Sequence, residues 1–328
     1  MTSRFSVLRD QILKLKEQKR AIILSHNYQR DEVQELADFV GDSLELSRIA
    51  ATKDCDMIVF CGVHFMAESA SILSPEKTVL LPEPEAGCPM ADMIRVDAPR
   101  PVRKSFPGFA HPPAYIYPPE FSLRDIKKQY PGVPVVSYVN TTAEIKAESD
   151  ICCTSANVVR IIESLPGDTV ICVPDKNLSM WAAMNTRKKV IAWDGYCNVH
   201  ERVSLEDVER ARREHPHAVL MAHPECRIEV LEKADHVTST SGMLRFVLES
   251  KGKEFIVGTE IGLLHRLRRE NPEKIFYPLR SDMVCPNMKK TTLQSVLRAF
   301  EANVHLVRVP EHIRVPAKRA LDRMLETV

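Results

Sequence analysis

Three of the nine cysteines in this 328-residue chain stand at matching places, each in loop-forming company. They are Cys88 in Gly87-Cys88-Pro89, Cys197 in Gly195-Tyr196-Cys197, and Cys285 in Cys285-Pro286-Asn287. Each follows the end of an apolar run at a similar interval: 27 residues from Cys61 to Cys88, 24 from Val173 to Cys197, and 27 from Gly258 to Cys285. One such cysteine would be read as a small core residue, since free cysteine is among the most buried types. Three at equivalent loop positions read as thiolates aimed at one metal centre, with one corner left unsupplied.

Two further sets of polar residues share the repeat. At the ends of the first apolar runs stand Ser25-His26-Asn27-Tyr28, Tyr138-Val139-Asn140-Thr141 and His223-Pro224-Glu225. These are acid–base and hydrogen-bonding groups, whereas a passive loop would use turn-forming Gly, Asp and Ser. Seventeen residues separate His26 from Ser43, Tyr138 from Ser155, and Ala222 from Ser239. Ser43, Ser155 and Ser239-Thr240 are read as helix openings, where free N–H groups and the positive dipole end suit a carboxylate or phosphate. Plain N-capping is the competing reading of each hydroxyl taken singly. Three such ends around a metal would make a pocket for a small, multiply anionic substrate.

The spacing of the cysteines fits no zinc finger. Zinc with His200 as fourth ligand, three residues after Cys197, and a [4Fe–4S] cluster with one open iron both satisfy it.

The elements that must position these groups follow from hydrophobic periodicity. Apolar runs alternate with helical-period segments, the pattern of βαβ units around parallel sheets. Strands are expected over 22–25, 57–61 and 78–81 in a first unit. The second should contain 135–139, 169–173 and 190–193, and the third 218–222, 255–258 and 275–278. Three similar αβα units around a pseudo-threefold axis would bring three loop sets to one point. The expected division is 1–94, 120–204 and 205–292, with 293–328 packing back on the first unit as a helix from Thr292 to about Asn303 and a short helical tail from Pro316. Residues 95–119 hold seven of the 22 prolines and read as an inserted surface loop, because proline cannot propagate a helix or a central strand. Asp42 and Glu45 have the spacing of a capping box.

Composition narrows the class. With 45 basic and 44 acidic residues the net charge is +1, which argues against a nucleic-acid surface. No apolar run reaches the length of a membrane span. The segment 1–20 is a charged amphipathic helix pattern without the apolar core of a secretory signal. Nine cysteines in such a chain point to a reducing, cytoplasmic setting and to metal or catalytic use.

The chain closely resembles the quinolinate synthases, iron–sulfur enzymes of NAD biosynthesis. The resemblance is carried by SHNYQ (25–29), GDSLELS (41–47), EAGCPMADM (85–93), YVNTTAEIKAESD (138–150), CTSAN (153–157), DGYCNVHE (194–201), HPEC (223–226), STSGM (239–243) and CPNMKK (285–290). It implies three αβα domains around a central site, and a [4Fe–4S] cluster held by Cys88, Cys197 and Cys285. The implied reaction condenses iminoaspartate with dihydroxyacetone phosphate to quinolinate, releasing phosphate and water, with L-aspartate oxidase as a source of iminoaspartate. The family's active-site groups fall on His26, Tyr28, Ser43, Tyr138, Asn140, Ser155, His200, His223, Glu225 and Thr240. Catalytic roles are expected for Tyr28, Glu225, His26, His200 and His223. Cys152, Cys153 and Cys226 lie near these motifs without counterparts in the other repeats and are read as packing residues. A rival of another class is a zinc-stabilised three-domain protein that binds a small anion without catalysis.

Overall fold

The computed structural model describes residues 2–97, 114–117 and 121–327. Among the described residues, thirteen strands form three sheets. The first contains β1 (Ala21–His26), β2 (Phe39–Gly41), β3 (Met57–Cys61) and β4 (Thr78–Leu80). The second contains β5 (Ala114–Tyr117), β6 (Val135–Tyr138), β7 (Ile151–Cys153), β8 (Thr169–Val173) and β9 (Lys189–Trp193). The third contains β10 (Val219–Ala222), β11 (His236–Val237), β12 (Glu254–Gly258) and β13 (Ile275–Pro278). Their orders are β2-β1-β3-β4, β5-β9-β8-β6-β7 and β11-β10-β12-β13, and every pairing is parallel. Apart from β5, the three orders are the same. The expected class, three similar parallel α/β units, is the one observed.

Parallel sheets are covered on both faces by crossover helices, so their strands read as continuous apolar runs. Met57–Cys61 is buried along its whole length. The expected strand set lacked one member per unit: β2, β7 and β11, each two or three residues long. Their lengths are too short to leave a periodic signal, and a repeated aspartate places them. Asp38, Asp150 and Asp235 each accept a hydrogen bond at 2.8 Å from the backbone N–H of Ile23, Val135 and Leu220, fifteen residues earlier. The N–H of each aspartate returns a bond to the carbonyl of that same residue or its equivalent, at 2.9–3.0 Å. The side chain thus clips the short strand onto the first one, and the following residues run directly to the hydroxyl-bearing turn.

Sheet register corrects the third repeat. Ser25 pairs with Cys61, Ser137 with Val173, and Ala222 with Gly258. The equivalents of His26 and Tyr138 are therefore His223, not Ala222, and the equivalent of Ser43 is Thr240, not Ser239.

The segment read as an inserted loop contributes a strand where it is described. Residues 114–117 pair with β9 at the sheet edge, where proline-flanked strands are tolerated; of the segment 95–119, residues 98–113 and 118–119 lie outside the described residues. The Leu293–Ala302 helix packs on the Thr2–Gln18 helix and β3, closing a core around Ile12, Ile23 and Phe300. The last helix, Glu311–Glu326, begins five residues before Pro316. It lies chiefly against the Ala143–Ala147 helix and β7 of the second unit, and touches the His64–Leu73 helix of the first. It bridges two units because Ala317, Ala320, Leu321 and Met324 form an apolar stripe that enters their shared core.

Candidate active site

The carboxyl ends of the three sheets face a common centre, the place where open parallel sheets bind ligands. A cavity of about 330 Å³ lies there, and all thirteen residues singled out from the sequence line it: the three cysteines, the strand-end groups, the three hydroxyls and His200. Cys152, Cys153 and Cys226 do not; they are buried in the sheet cores.

The first and third units build their strand-end loops identically. The backbone N–H of Tyr28 donates to His26 Nδ1 at 3.1 Å, and that of Glu225 donates to His223 Nδ1 at 3.3 Å. Each histidine is thereby locked, and the residue two places on is pushed over the cavity. Burial drives the His26 pKa down to about 3, so this imidazole is neutral and accepts the bond.

The same register position thus carries Tyr28, Asn140 and Glu225 in the three units. Glu225 Oε2 lies 3.1 Å from His200 Nδ1 and 3.2 Å from His223 Nδ1. Burial opposes its ionisation, but His223 and His200 outweigh that penalty and hold its pKa below the usual carboxylate range. Its Oε1 is buried and has no protein partner among the described residues, as is Asn140 Oδ1. Two acceptors turned into a cavity without donors are acceptors kept for a ligand.

A residue missed from the sequence joins these groups. Thr259, buried just beyond β12, has its Oγ1 2.7 Å from the Tyr28 hydroxyl and 2.9 Å from His200 Nε2. One assignment satisfies all partners: Tyr28 donates to Thr259, Thr259 donates to His200 Nε2, and His200 Nδ1 donates to Glu225. Burial, with the Glu225 charge adding to it, pushes the Tyr28 pKa well above its ordinary value, so the phenol stays a donor. The only clue in the sequence was a hydroxyl directly after the third strand's end.

The hydroxyl set divides. Ser43 and Thr240 occupy first helical positions, behind the N-caps Asp42 and Ser239. Asp42 and Glu45 form the expected capping box. Ser239 is an ordinary cap, its hydroxyl accepting from Gly242 N–H at 3.1 Å; a side chain at Gly242 would meet Thr238 Oγ1 at 1.9 Å. Ser155 does not open a helix, contrary to expectation. The Asn157 side chain accepts from the Thr154 N–H at 2.7 Å, which holds a turn and delays the helix to Val158. Ser155 instead lies 3.1 Å from His223 Nε2, across the unit boundary.

The cysteines share one local geometry. At each sulfur the backbone N–H groups two and three residues on favour the thiolate: those of Met90 and Ala91 for Cys88, Val199 and His200 for Cys197, Asn287 and Met288 for Cys285. Burial raises all three thiol pKa values, that of Cys88 to about 12. Inward N–H groups at buried sulfurs suit thiolates, yet burial keeps them protonated until a cation neutralises them; a bound metal does so outright. The donor set therefore fits a metal centre. Cys197 Sγ, His200 Nδ1 and a Glu225 oxygen also lie within 4.8 Å of one another.

Three parallel α/β units meeting at a cavity lined by thiols, imidazoles and the carboxylates of Asp42 and Glu225 define the class as an α/β protein whose central donor set could hold a metal ion. Residues 10–326 match the family model described as quinolinate synthetase A protein, NadA. The quinolinate synthase of Thermodesulfovibrio yellowstonii is 53% identical over 320 residues, covering 97% of this chain and 98% of that protein. Those of Methanoregula boonei and Dehalococcoides mccartyi (strain ATCC BAA-2266) are each 52% identical, over 320 and 315 residues, covering 98% and 96% of both chains respectively. The chain belongs to the quinolinate synthase family and is an enzyme of NAD biosynthesis. That membership disfavours the non-catalytic zinc protein. No helix among the described residues is long and apolar enough to cross a membrane.

Proposed function

We propose that this enzyme condenses iminoaspartate with dihydroxyacetone phosphate to form quinolinate, phosphate and water, with a [4Fe–4S] cluster held by Cys88, Cys197 and Cys285. The observation that carries the proposal is the opening of three equivalent, N–H-lined cysteine sulfurs onto one cavity with a buried carboxylate. When bound, the cluster supplies an open iron as Lewis acid.

The chain's own residues do the rest. Ser43 and Thr240, with the N–H groups of their helix starts, bind carboxylate or phosphate oxygens, and Ser155 donates from the second unit. Asn140 Oδ1 accepts from the substrate nitrogen. Glu225, ionised and with Oε1 free, takes protons; Tyr28, a neutral phenol from another unit, gives them to a second face of the same ligand. His200 and His223 hold Glu225 in place, and His26 sets the Tyr28 loop. His200, His223 and Glu225 are themselves buried, which limits water at the proton-carrying groups beside an easily hydrolysed imine.

The test is anaerobic. Protein purified without oxygen should be brown and should form quinolinate from the two substrates, whereas a zinc protein would be colourless. Cys88→Ser, Cys197→Ser and Cys285→Ser should each abolish colour and turnover. Single replacement of Cys55, Cys61, Cys152, Cys153, Cys172 or Cys226 should leave the iron content intact. Full iron retention in any of the first three variants overturns the ligand assignment.

A further inference from the structure

The three cysteine loops share their sulfur geometry but not their anchorage. Two residues beyond the register position shared by Cys61, Val173 and Gly258 stand Val63, Asp175 and Glu260. In the second unit Asp175 is almost fully buried. One of its oxygens accepts from the Cys197 N–H at 3.2 Å, and the other from the Leu178 N–H at 2.8 Å, in the helix that follows. The third unit repeats the device. Glu260 is completely buried and accepts from the Cys285 N–H at 3.1 Å and from the Gly262 N–H at 2.7 Å. Lys289 Nζ lies 3.0 Å from the same carboxylate and donates at 2.6 Å to the Tyr28 carbonyl.

In the first unit the position is Val63, which offers no acceptor, and its helix start has no side-chain cap. The Cys88 loop is held there by main-chain bonds, from the His64 N–H to the Ala86 carbonyl at 2.8 Å and from the Asp92 N–H to the Cys88 carbonyl at 3.3 Å. Packing adds to the anchorage in the second unit, where a Cβ at Gly195 would stand 2.4 Å from the Pro174 carbonyl oxygen.

We propose that Asp175 and Glu260 are positioning residues for the metal centre. They fix the Cys197 and Cys285 loops in ligating geometry before any metal arrives, and leave Cys88 as the compliant third arm. A buried carboxylate can do this because a buried N–H left without its acceptor is costly, and each carboxylate ties a loop to a helix start. This rests on the cysteine ligation proposed above, and its test separates the two.

The first measurement is iron release to an excess of chelator from the anaerobically purified holoenzyme. Groups that orient metal ligands typically contribute 10–100-fold to metal affinity, so Asp175→Ala and Glu260→Ala should release iron on the order of 10–100-fold faster than the parent. Asp175→Asn and Glu260→Gln keep one acceptor and should fall between. Urea midpoints of the two isosteric variants should stay near the parent's, a result that a merely structural role would not give. Release at the parental rate from all four folded variants overturns the inference while leaving the cysteine ligands standing.

The second measurement needs no variant and no iron. Hydrogen exchange of the unaltered chain should show peptides containing Cys197 and Cys285 protected relative to the one containing Cys88. Equal protection of the three, or a Cys88 loop slower than the others, also overturns it. A parent that binds no iron at all sinks the cysteine ligation, and the exchange ranking still decides the anchorage.

Discussion

Two clusters of charged groups, both centred on a buried carboxylate, meet opposite fates. Outside the cavity, Asp207 has both oxygens engaged: Oδ2 accepts from the Ser204 N–H at 3.0 Å and from Arg280 at 2.8 Å, and Oδ1 from Arg210 at 2.6 Å. At the centre, Glu225 sets one oxygen beside the Nδ1 atoms of His200 and His223 and leaves the other without a partner among the described residues. Asp207 joins the start of the Leu205–Glu214 helix to the turn after β13, so its charge is invested in stability. Glu225 joins nothing comparable, and its second oxygen is left to the cavity. Completeness of hydrogen bonding, more than burial, separates a structural carboxylate from one kept for chemistry.

The largest expected effect breaks the comparison at the centre. Glu225→Gln should retain iron yet lose turnover per bound iron by ~10²–10⁴-fold, the usual contribution of a positioned acid or base. Turnover within about threefold of the parent, far below that contribution, would reassign the proton carrier to a histidine.

A smaller effect sharpens it. Thr259→Val removes the hydroxyl shared by Tyr28 and His200 without emptying space. Leaving two buried partners unsatisfied costs about 1–3 kcal/mol, so turnover should fall roughly 10–100-fold with iron content unchanged. A variant with parental turnover would show that Tyr28 and His200 act independently.

The smallest effect belongs to Asp207. Burial penalises the Asp207 carboxylate, but Ser204, Arg280 and Arg210 hold its pKa at about 2, below the ordinary 3.8. A depressed acid contributes stability that is present above its unfolded pKa and lost as pH falls through its folded one. Asp207→Asn should therefore destabilise by ~2 kcal/mol at neutral pH, with no change in turnover, and the gap should close between about pH 4 and pH 2. Urea titrations at several pH values check it; a pH-independent gap would mean the carboxylate's charge is irrelevant there.

The repeat was legible because it is written in residue types. Cysteines in Gly- and Pro-bounded loops, His and Tyr at strand ends, and continuous apolar strands such as Met57–Cys61 carry their own signal, since burial on both faces and ligand chemistry each restrict the residues allowed. The linear sequence already contained Asp38, Asp150 and Asp235 at one spacing, twelve residues after His26, Tyr138 and His223. Aspartates before turns are so ordinary that the regularity carried no weight until their carboxylates were found on the first strands.

What tertiary structure alone decided was register, partnership and anchorage. A one-residue offset in the third repeat moves the equivalence from Ser239 to Thr240, and only sheet pairing resolves it, because both residues carry hydroxyls. Thr259 meets Tyr28 across 231 residues of chain, and Ser155 meets His223 across 68. Val63, Asp175 and Glu260 share a position whose meaning depends on whether a cysteine amide points at it. Sequence periodicity reports which face of an element is buried. It cannot report which distant donor that burial has left seeking an acceptor, because that is set by how three separately folded sheets close upon one another.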